Sequence, residues 1–320
     1  MSKTSAWGER ETRLFHELTP DKILTAVESL GFVCTGRILQ LNSMENRVYE
    51  IEIDGSPGSL IAKFYRPQRW SREQIAEEHR FLLDLGDAEI PVVAPLLFRE
   101  EQSIFSMDEE GIMFSVFPKC RGRSPDELMD DQIPQIGRLV ARMHGVGATR
   151  RSDHRLHISP ETYGFDNLDI LLQEDVLSDR VRDAYCDLVE EICTLSEPMF
   201  ADIGVQRIHG DCHFGNIILG QSGFSLVDFD DMVVGPCVQD LWLLFPGRDE
   251  ESKERFSLCL EAYEQMKEFD RRSLRLIEPL RGLRIIHFSA WIAKRYQDPS
   301  FQRAFPDYGT ERYWSEELRA

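Results

Sequence analysis

Residues 208–219 read Ile-His-Gly-Asp-Cys-His-Phe-Gly-Asn-Ile-Ile-Leu, and Phe224-Ser225-Leu226-Val227-Asp228-Phe229-Asp230-Asp231 follows a turn bounded by Gly220 and Gly223. Two short apolar runs joined by a glycine-containing turn predict a hairpin. Such a hairpin brings Asn216 and Asp228 together beneath Asp211, five residues before Asn216 and seventeen before Asp228. Phosphoryl transfer asks for this set: one carboxylate to orient the attacking hydroxyl, and an Asn and an Asp to hold Mg²⁺ on the phosphates. Mg²⁺ takes oxygen ligands and keeps several waters, so two protein ligands suffice.

The rest of the chain supplies a frame for that hairpin. Alternating apolar runs at 33–41, 47–53 and 59–65 predict three strands, with the turn cluster Asp54-Gly55-Ser56-Pro57-Gly58 between the last two. A helix is predicted over 71–85, starting at Ser71 with Glu73 and Gln74 in its first turn. Two more strands fit 103–107 and 112–117, and Phe117–Arg123 reads as a linker. Beyond it the texture turns helical, with helices expected over 133–146, 175–198, 251–269 and 273–296. The expectation is an α+β chain in two lobes: a nucleotide-binding lobe over 1–118, built on a small sheet with one helix, and a larger, mainly helical lobe over 119–320 carrying the hairpin.

Composition narrows the partners. With 42% hydrophobic and 29% charged residues the chain reads as globular rather than disordered. A net charge of −19 opposes binding to nucleic acid or to an anionic membrane surface. The first ten residues lack the apolar core of a signal peptide. The most apolar long stretch, 277–296, is interrupted by Glu278, Arg281, Arg284 and Lys294 and reads as a packed helix. Seven scattered cysteines with no CxxC pair fit reduced thiols in a cytoplasmic protein. Cys212 is either redox-sensitive or a small loop filler.

On the third strand, Leu60, Ala62 and Phe64 face one way, and Ile61, Lys63 and Tyr65 the other. Lys63 needs an anion if buried, and Glu78 or Glu77 on the following helix is placed to supply it. The turn Leu41–Tyr49 contains no glycine, but Asn42, Ser43 and Asn46 offer backbone N–H groups and a hydroxyl to phosphate oxygens. His209, Asp211 and His213 invite a metal-hydrolase reading, yet the other histidines form no ligand cluster with them. Those two histidines are expected to brace the loop, and His144 to be a satisfied core histidine. Asp240 either caps a helix or accepts hydrogen bonds from the loop backbone. Asp230 and Asp231 either add negative potential for a second Mg²⁺ or are solvated acids.

The segment His209-Gly210-Asp211-x-His213-x-x-Asn216, followed by Val227-Asp228-Phe229-Asp230-Asp231, resembles the choline kinase/aminoglycoside phosphotransferase fold group, distant cousins of protein kinases. The turn Asn42-Ser43-x-Glu45-Asn46-Arg47 and the segments Lys63-Phe64-Tyr65-Arg66-Pro67, Val238–Trp242 and Ile277–Arg281 are similar to those of a bacterial stress-response subfamily of serine/threonine protein kinases. That resemblance covers most of residues 20–315. It implies a bilobal protein-kinase-like fold with an antiparallel N-lobe sheet, and ATP and Mg²⁺ as cofactors. It also implies Asp211 as catalytic base, Asn216 and Asp228 as metal ligands, Ser43 on an ATP phosphate, and Lys63 paired with Glu78. ATP would lie between the lobes with its adenine against Phe117–Lys119. The implied partner is a protein Ser or Thr, the chain itself included, and the implied state a monomer. Two alternatives stand beside it: a small-molecule kinase of choline- or aminoglycoside-like acceptors, and a non-catalytic ATP-dependent regulator.

Overall fold

The computed structural model describes residues 18–107 and 111–320. The N-terminal segment predicted to hold no signal sequence lies outside them. The described residues divide into two compact units, one of residues 18–128 and 213–231, the other of residues 129–212 and 232–320.

In the first unit, helix α1 (Pro20–Glu28) precedes strands β1 (Cys34–Leu41), β2 (Arg47–Ile53) and β3 (Ser59–Phe64). Helix α2 (Arg72–Asp87) follows, then β4 (Phe105–Ser106) and β5 (Met113–Pro118). The five strands form one antiparallel sheet in the order β1-β2-β3-β5-β4. Its pleat sorts the side chains. Leu60, Ala62 and Phe64 join Ile51, Phe114 and Val116 in a core that Ile23 and Val27 of α1 complete. Lys63, opposite Val48 and Ser115 in register, belongs to the other face. Helix α2 starts where the sequence predicts because Ser71 and Gln74 form a reciprocal capping box, with bonds of 3.2 and 2.9 Å. It runs two residues beyond the expected end and buries Ile75, Phe81, Leu82 and Leu85. Only two residues of the strand expected at 103–107 pair.

The second unit opens with α3 (Ile133–Gly147), whose Ile133, Ile136, Leu139, Val140 and Met143 are buried on one face. A π turn at Pro160–Phe165 leads into α4 (Asp166–Gln173), and α5 (Asp179–Phe200) runs to the short strand β6 (Gln206–Ile208). The helix predicted from 175 begins only after Ser178, and nothing in the sequence pattern announced α4. The chain then returns to the first unit for the hairpin β7 (Ile217–Gly220) and β8 (Gly223–Leu226), closed by the pair Gly220 and Gly223. Backbone bridges tie this hairpin to its own unit. Leu226 N donates to Pro91 O at 2.9 Å, and Arg123 and Leu219 exchange bonds of 3.3 and 2.9 Å.

Strand β9 (Val233–Gly235) pairs antiparallel with β6 in the second unit. Helices α6 (Val238–Trp242), α7 (Glu250–Glu264), α8 (Ile277–Arg295), α9 (Pro299–Ala304) and α10 (Glu311–Glu317) complete it. The helix predicted from 273 starts as a 3₁₀ turn, and Pro279, which has no N–H to donate, falls in the first turn of α8. Leu283, Ile286 and Ala290 of α8 share a core with Leu171, Val181, Val189 and Trp314. No helix among the described residues is long and apolar enough to cross a membrane.

Helices α3 and α7 meet without room to spare. A Cβ on Gly137 would stand 2.3 Å from the Cys259 carbonyl oxygen. Gly137→Ala is therefore expected to destabilise the chain by about 1–3 kcal/mol, although alanine is the better helix former. Urea denaturation checks this: an unchanged or higher midpoint would mean the helices can part at no cost.

Candidate active site

Lys63 is buried in the first unit and surrounded by acids. Its Nζ lies 2.7 Å from Asp230 Oδ1, 3.6 Å from Glu78 Oε1 and 3.8 Å from Asp228 Oδ1. The Tyr65 ring lies below it at 5.1 Å. Burial alone would lower the lysine pKa, but Asp230, Glu78, Tyr65 and Asp228 hold it well above the ordinary value. Glu78 is itself buried, on the face of α2 that Phe81 and Leu82 anchor. Asp230 is not a solvated acid. It is 3% exposed and ion-pairs with Arg69 as well as Lys63, while Arg69 also reaches Asp231 at 2.5 Å and Glu45 at 3.7 Å. This acidic surround, Asp230 foremost after the opposing effect of burial, holds Arg69 firmly charged.

A cavity of about 490 Å³ opens beside Lys63. Ser43, Lys63, Glu78, Asn216 and Asp228 all line it, and Phe117, Pro118 and Lys119 form part of its wall. The glycine-free turn shapes itself through its own side chains: Ser43 Oγ accepts from Asn46 N at 3.2 Å, and Asn46 Oδ1 from Arg66 N at 3.1 Å. On the opposite wall, Asn216 O accepts from Val227 N at 3.0 Å, which draws the two ends of the hairpin together. His213 braces this bend by accepting from Gly215 N at 3.0 Å. Asp228 adopts φ +60°, a left-handed conformation costly for a residue with a Cβ. Its side chain is 59% exposed, whereas Phe229 packs edge-on against Phe81 of α2 at 5.7 Å. The 3₁₀ turn Phe229–Asp231 thus sends successive acids to different places, Asp228 to the cavity and Asp230 to the buried lysine.

Asp211 belongs to the second unit, where α6 clamps its loop. Asp240 of α6 accepts from His209 N and Gly210 N, both at 2.8 Å, and Gln239 Nε2 donates to Gly210 O at 3.3 Å. Gly210 has φ +84°, a left-handed conformation that glycine adopts without the cost a Cβ would add. His209 Nδ1 accepts from Asp211 N at 3.3 Å. The same Asp240 bonds His144 Nε2 at 3.0 Å, and Tyr263 Oη meets the other ring nitrogen at 3.0 Å. Burial opposes charge on His144, but Cys237 and Asp240 raise its pKa to about 9. Cys212 is fully buried, and burial together with Asp240 pushes its thiol well above the ordinary value, which makes it an inert filler. Asp211 Oδ1 itself accepts from Arg284 Nη2 of α8 at 2.6 Å. Sequence reasoning singles out neither Arg69 nor Arg284; each is one cation among many until the fold supplies its carboxylate.

Known proteins agree with this architecture. The pattern of the phosphotransferase enzyme family matches residues 37–277. Stress response kinase A of Escherichia coli K12 is 37% identical over 301 residues, covering 94% of this chain and 90% of that protein. The serine/threonine protein kinase RdoA of Salmonella typhimurium is 36% identical over the same shares. In fold, an amicoumacin kinase solved with AMP-PNP, Ca²⁺ and Ami superposes with a TM-score of 0.68 at 19% identity, covering 88% of this chain and 92% of that one. The chain therefore belongs to the phosphotransferase enzyme family and has the α+β kinase-like fold, a phosphotransferase with an alcohol group as acceptor.

Proposed function

We propose that the chain is an ATP- and Mg²⁺-dependent serine/threonine protein kinase of bacterial stress response, acting in the cytoplasm as a monomer. The observation that carries this reading is one cavity lined by a buried, acid-paired lysine, an Asn, an outward-facing Asp and a hydroxyl-bearing turn. The relatives named as stress response and serine/threonine kinases support it.

Lys63, kept charged by its acids, donates to the α/β-phosphates, and Glu78 aims it. Ser43 and the backbone of its turn face the phosphates, and Phe117–Lys119 face the adenine. The donor set fits Mg²⁺. Asp228 and Asn216 offer oxygens on one cavity, the hard ligands that Mg²⁺ takes. When bound, Mg²⁺ neutralises charge on the phosphates. Asp211 orients the Ser or Thr hydroxyl and takes its proton as the oxygen bonds to the γ-phosphorus. The bond from that phosphorus to the β-phosphate oxygen breaks, and ADP leaves with the electron pair.

The test uses γ-labelled ATP with Mg²⁺, offering the protein itself, a generic protein and a panel of small alcohols. Label on Ser or Thr supports the reading. A second reading, a kinase of a small hydroxyl- or amino-bearing metabolite, draws on the likeness in fold to the amicoumacin kinase, and label confined to a small alcohol would select it. A sharper check concerns Asp228. Asparagine tolerates a left-handed backbone, so Asp228→Asn keeps the turn while removing the charge. The thermal stabilisation by AMP-PNP with Mg²⁺ is expected to fall to the level seen with EDTA. Undiminished Mg²⁺-dependent stabilisation would remove Asp228 from the metal.

A further inference from the structure

Arg284 takes no part in the reaction as written, yet it touches the residue on which the acceptor step turns. The backbone that carries it is fixed, because Leu283 and Ile286 on either side are buried in the helical core. Its Nη2 donates to Asp211 Oδ1 at 2.6 Å, with the arginine side chain 34% and the carboxylate 21% exposed. A guanidinium carries five N–H donors in a planar fork suited to two oxygens at once. Asp211 accepts from one nitrogen of that fork, and the arginine side chain as a whole is part-exposed.

A cation fixed beside Asp211 acts on acceptors in opposite ways according to their charge. An alcohol that carries an ammonium a few bonds from its hydroxyl brings that charge to a carboxylate whose attraction Arg284 already offsets, and meets the guanidinium beside it. An alcohol flanked by carboxylates finds a partner there and forms charge-assisted hydrogen bonds as its hydroxyl arrives. The net charge of −19 works against an acidic acceptor at long range. That repulsion is largely screened near physiological salt, whereas a contact at hydrogen-bond distance is screened far less. We infer that Arg284 is a specificity-determining residue that selects Ser or Thr hydroxyls flanked by acidic side chains and rejects cationic acceptors. The inference rests on the kinase reading and deepens it by naming the acceptor class.

The experiment compares two peptides that differ only in having Glu or Lys on both sides of a single Ser, with choline as a cationic alcohol. Each is offered with γ-labelled ATP and Mg²⁺ at about 0.15 M salt to the full chain and to its Arg284→Gln and Arg284→Lys variants. For the wild type, kcat/KM is expected to favour the acidic peptide over the basic one by about tenfold or more. In Arg284→Gln that ratio is expected to approach one, mainly through a higher KM for the acidic peptide, and in Arg284→Lys most of it is expected to survive. Equal ratios in wild type and Arg284→Gln, or a wild-type preference for the basic peptide or choline, would overturn the inference while leaving the kinase standing. If Arg284→Gln does not fold, the wild-type ratio and the Lys variant decide alone. Label on no acceptor at all, the chain itself included, would overturn the kinase reading, and the inference with it.

Discussion

Asp211→Asn is expected to lower phosphoryl transfer by about three orders of magnitude while nucleotide still binds. The substitution preserves shape and leaves an oxygen to accept from Arg284, so the loop loses a charge rather than a contact. The ion pair it weakens is part-exposed, and such pairs contribute little to stability. Melting temperature should therefore stay close to that of the wild type. Single-turnover transfer to the chain itself or to a peptide gives the rate, and AMP-PNP binding supplies the control. Transfer at the wild-type rate would dismiss Asp211 as the acceptor-orienting base. Retained cellular activity in a protein that no longer transfers phosphate would point to a nucleotide-binding regulator instead.

The largest stability effect is expected at Asp240. This fully buried carboxylate satisfies two consecutive backbone N–H groups, His209 and Gly210, and the imidazole of His144. Asp240→Ala strands all three inside the protein, and breaking a buried charged pair in this way costs roughly 3–5 kcal/mol. Asp240→Asn keeps one acceptor oxygen and should fall between alanine and wild type. Urea denaturation of the three proteins measures the series. A loss below about 1 kcal/mol for alanine would mean that water or a local rearrangement replaces the carboxylate. The loop it holds carries Asp211, so the alanine variant should lose transfer even under conditions where it remains folded.

Much of this is legible in the sequence. The hairpin could be read because two apolar runs flank a glycine-bounded turn, and the first sheet most clearly at β2, whose buried and part-buried residues alternate. Strand parity alone put Lys63 on the face opposite Phe64, and the Ser71–Gln74 spacing marked the start of α2. Other features left no such signal. Strands β6 and β9 are three residues each, too short for a period to show. In Asp228-Phe229-Asp230-Asp231 the letters give four positions but not the 3₁₀ turn that points Asp228 at the cavity and buries Asp230 on Lys63 and Arg69. Arg284 is 73 residues from Asp211 in sequence, and no spacing rule connects them. Pairings fixed by tertiary packing are invisible to local pattern, and here they include Asp230 beside Lys63 and Arg284 beside Asp211.

The division of the chain into units bears on how it must be made. The hairpin that completes the cavity is synthesised only after residues 129–212, a stretch of 84 residues that belongs elsewhere. A ribosome that has released residues 18–128 has therefore released a sheet without Asp228 and without the carboxylate nearest Lys63. That lysine must wait with Glu78 as its acidic neighbour until Asp230 emerges about a hundred residues later. The cavity beside Lys63 is thus a late product of synthesis, assembled by non-local closure. A nascent chain cut short before residue 213 carries the sheet but not the hairpin residues that line its cavity.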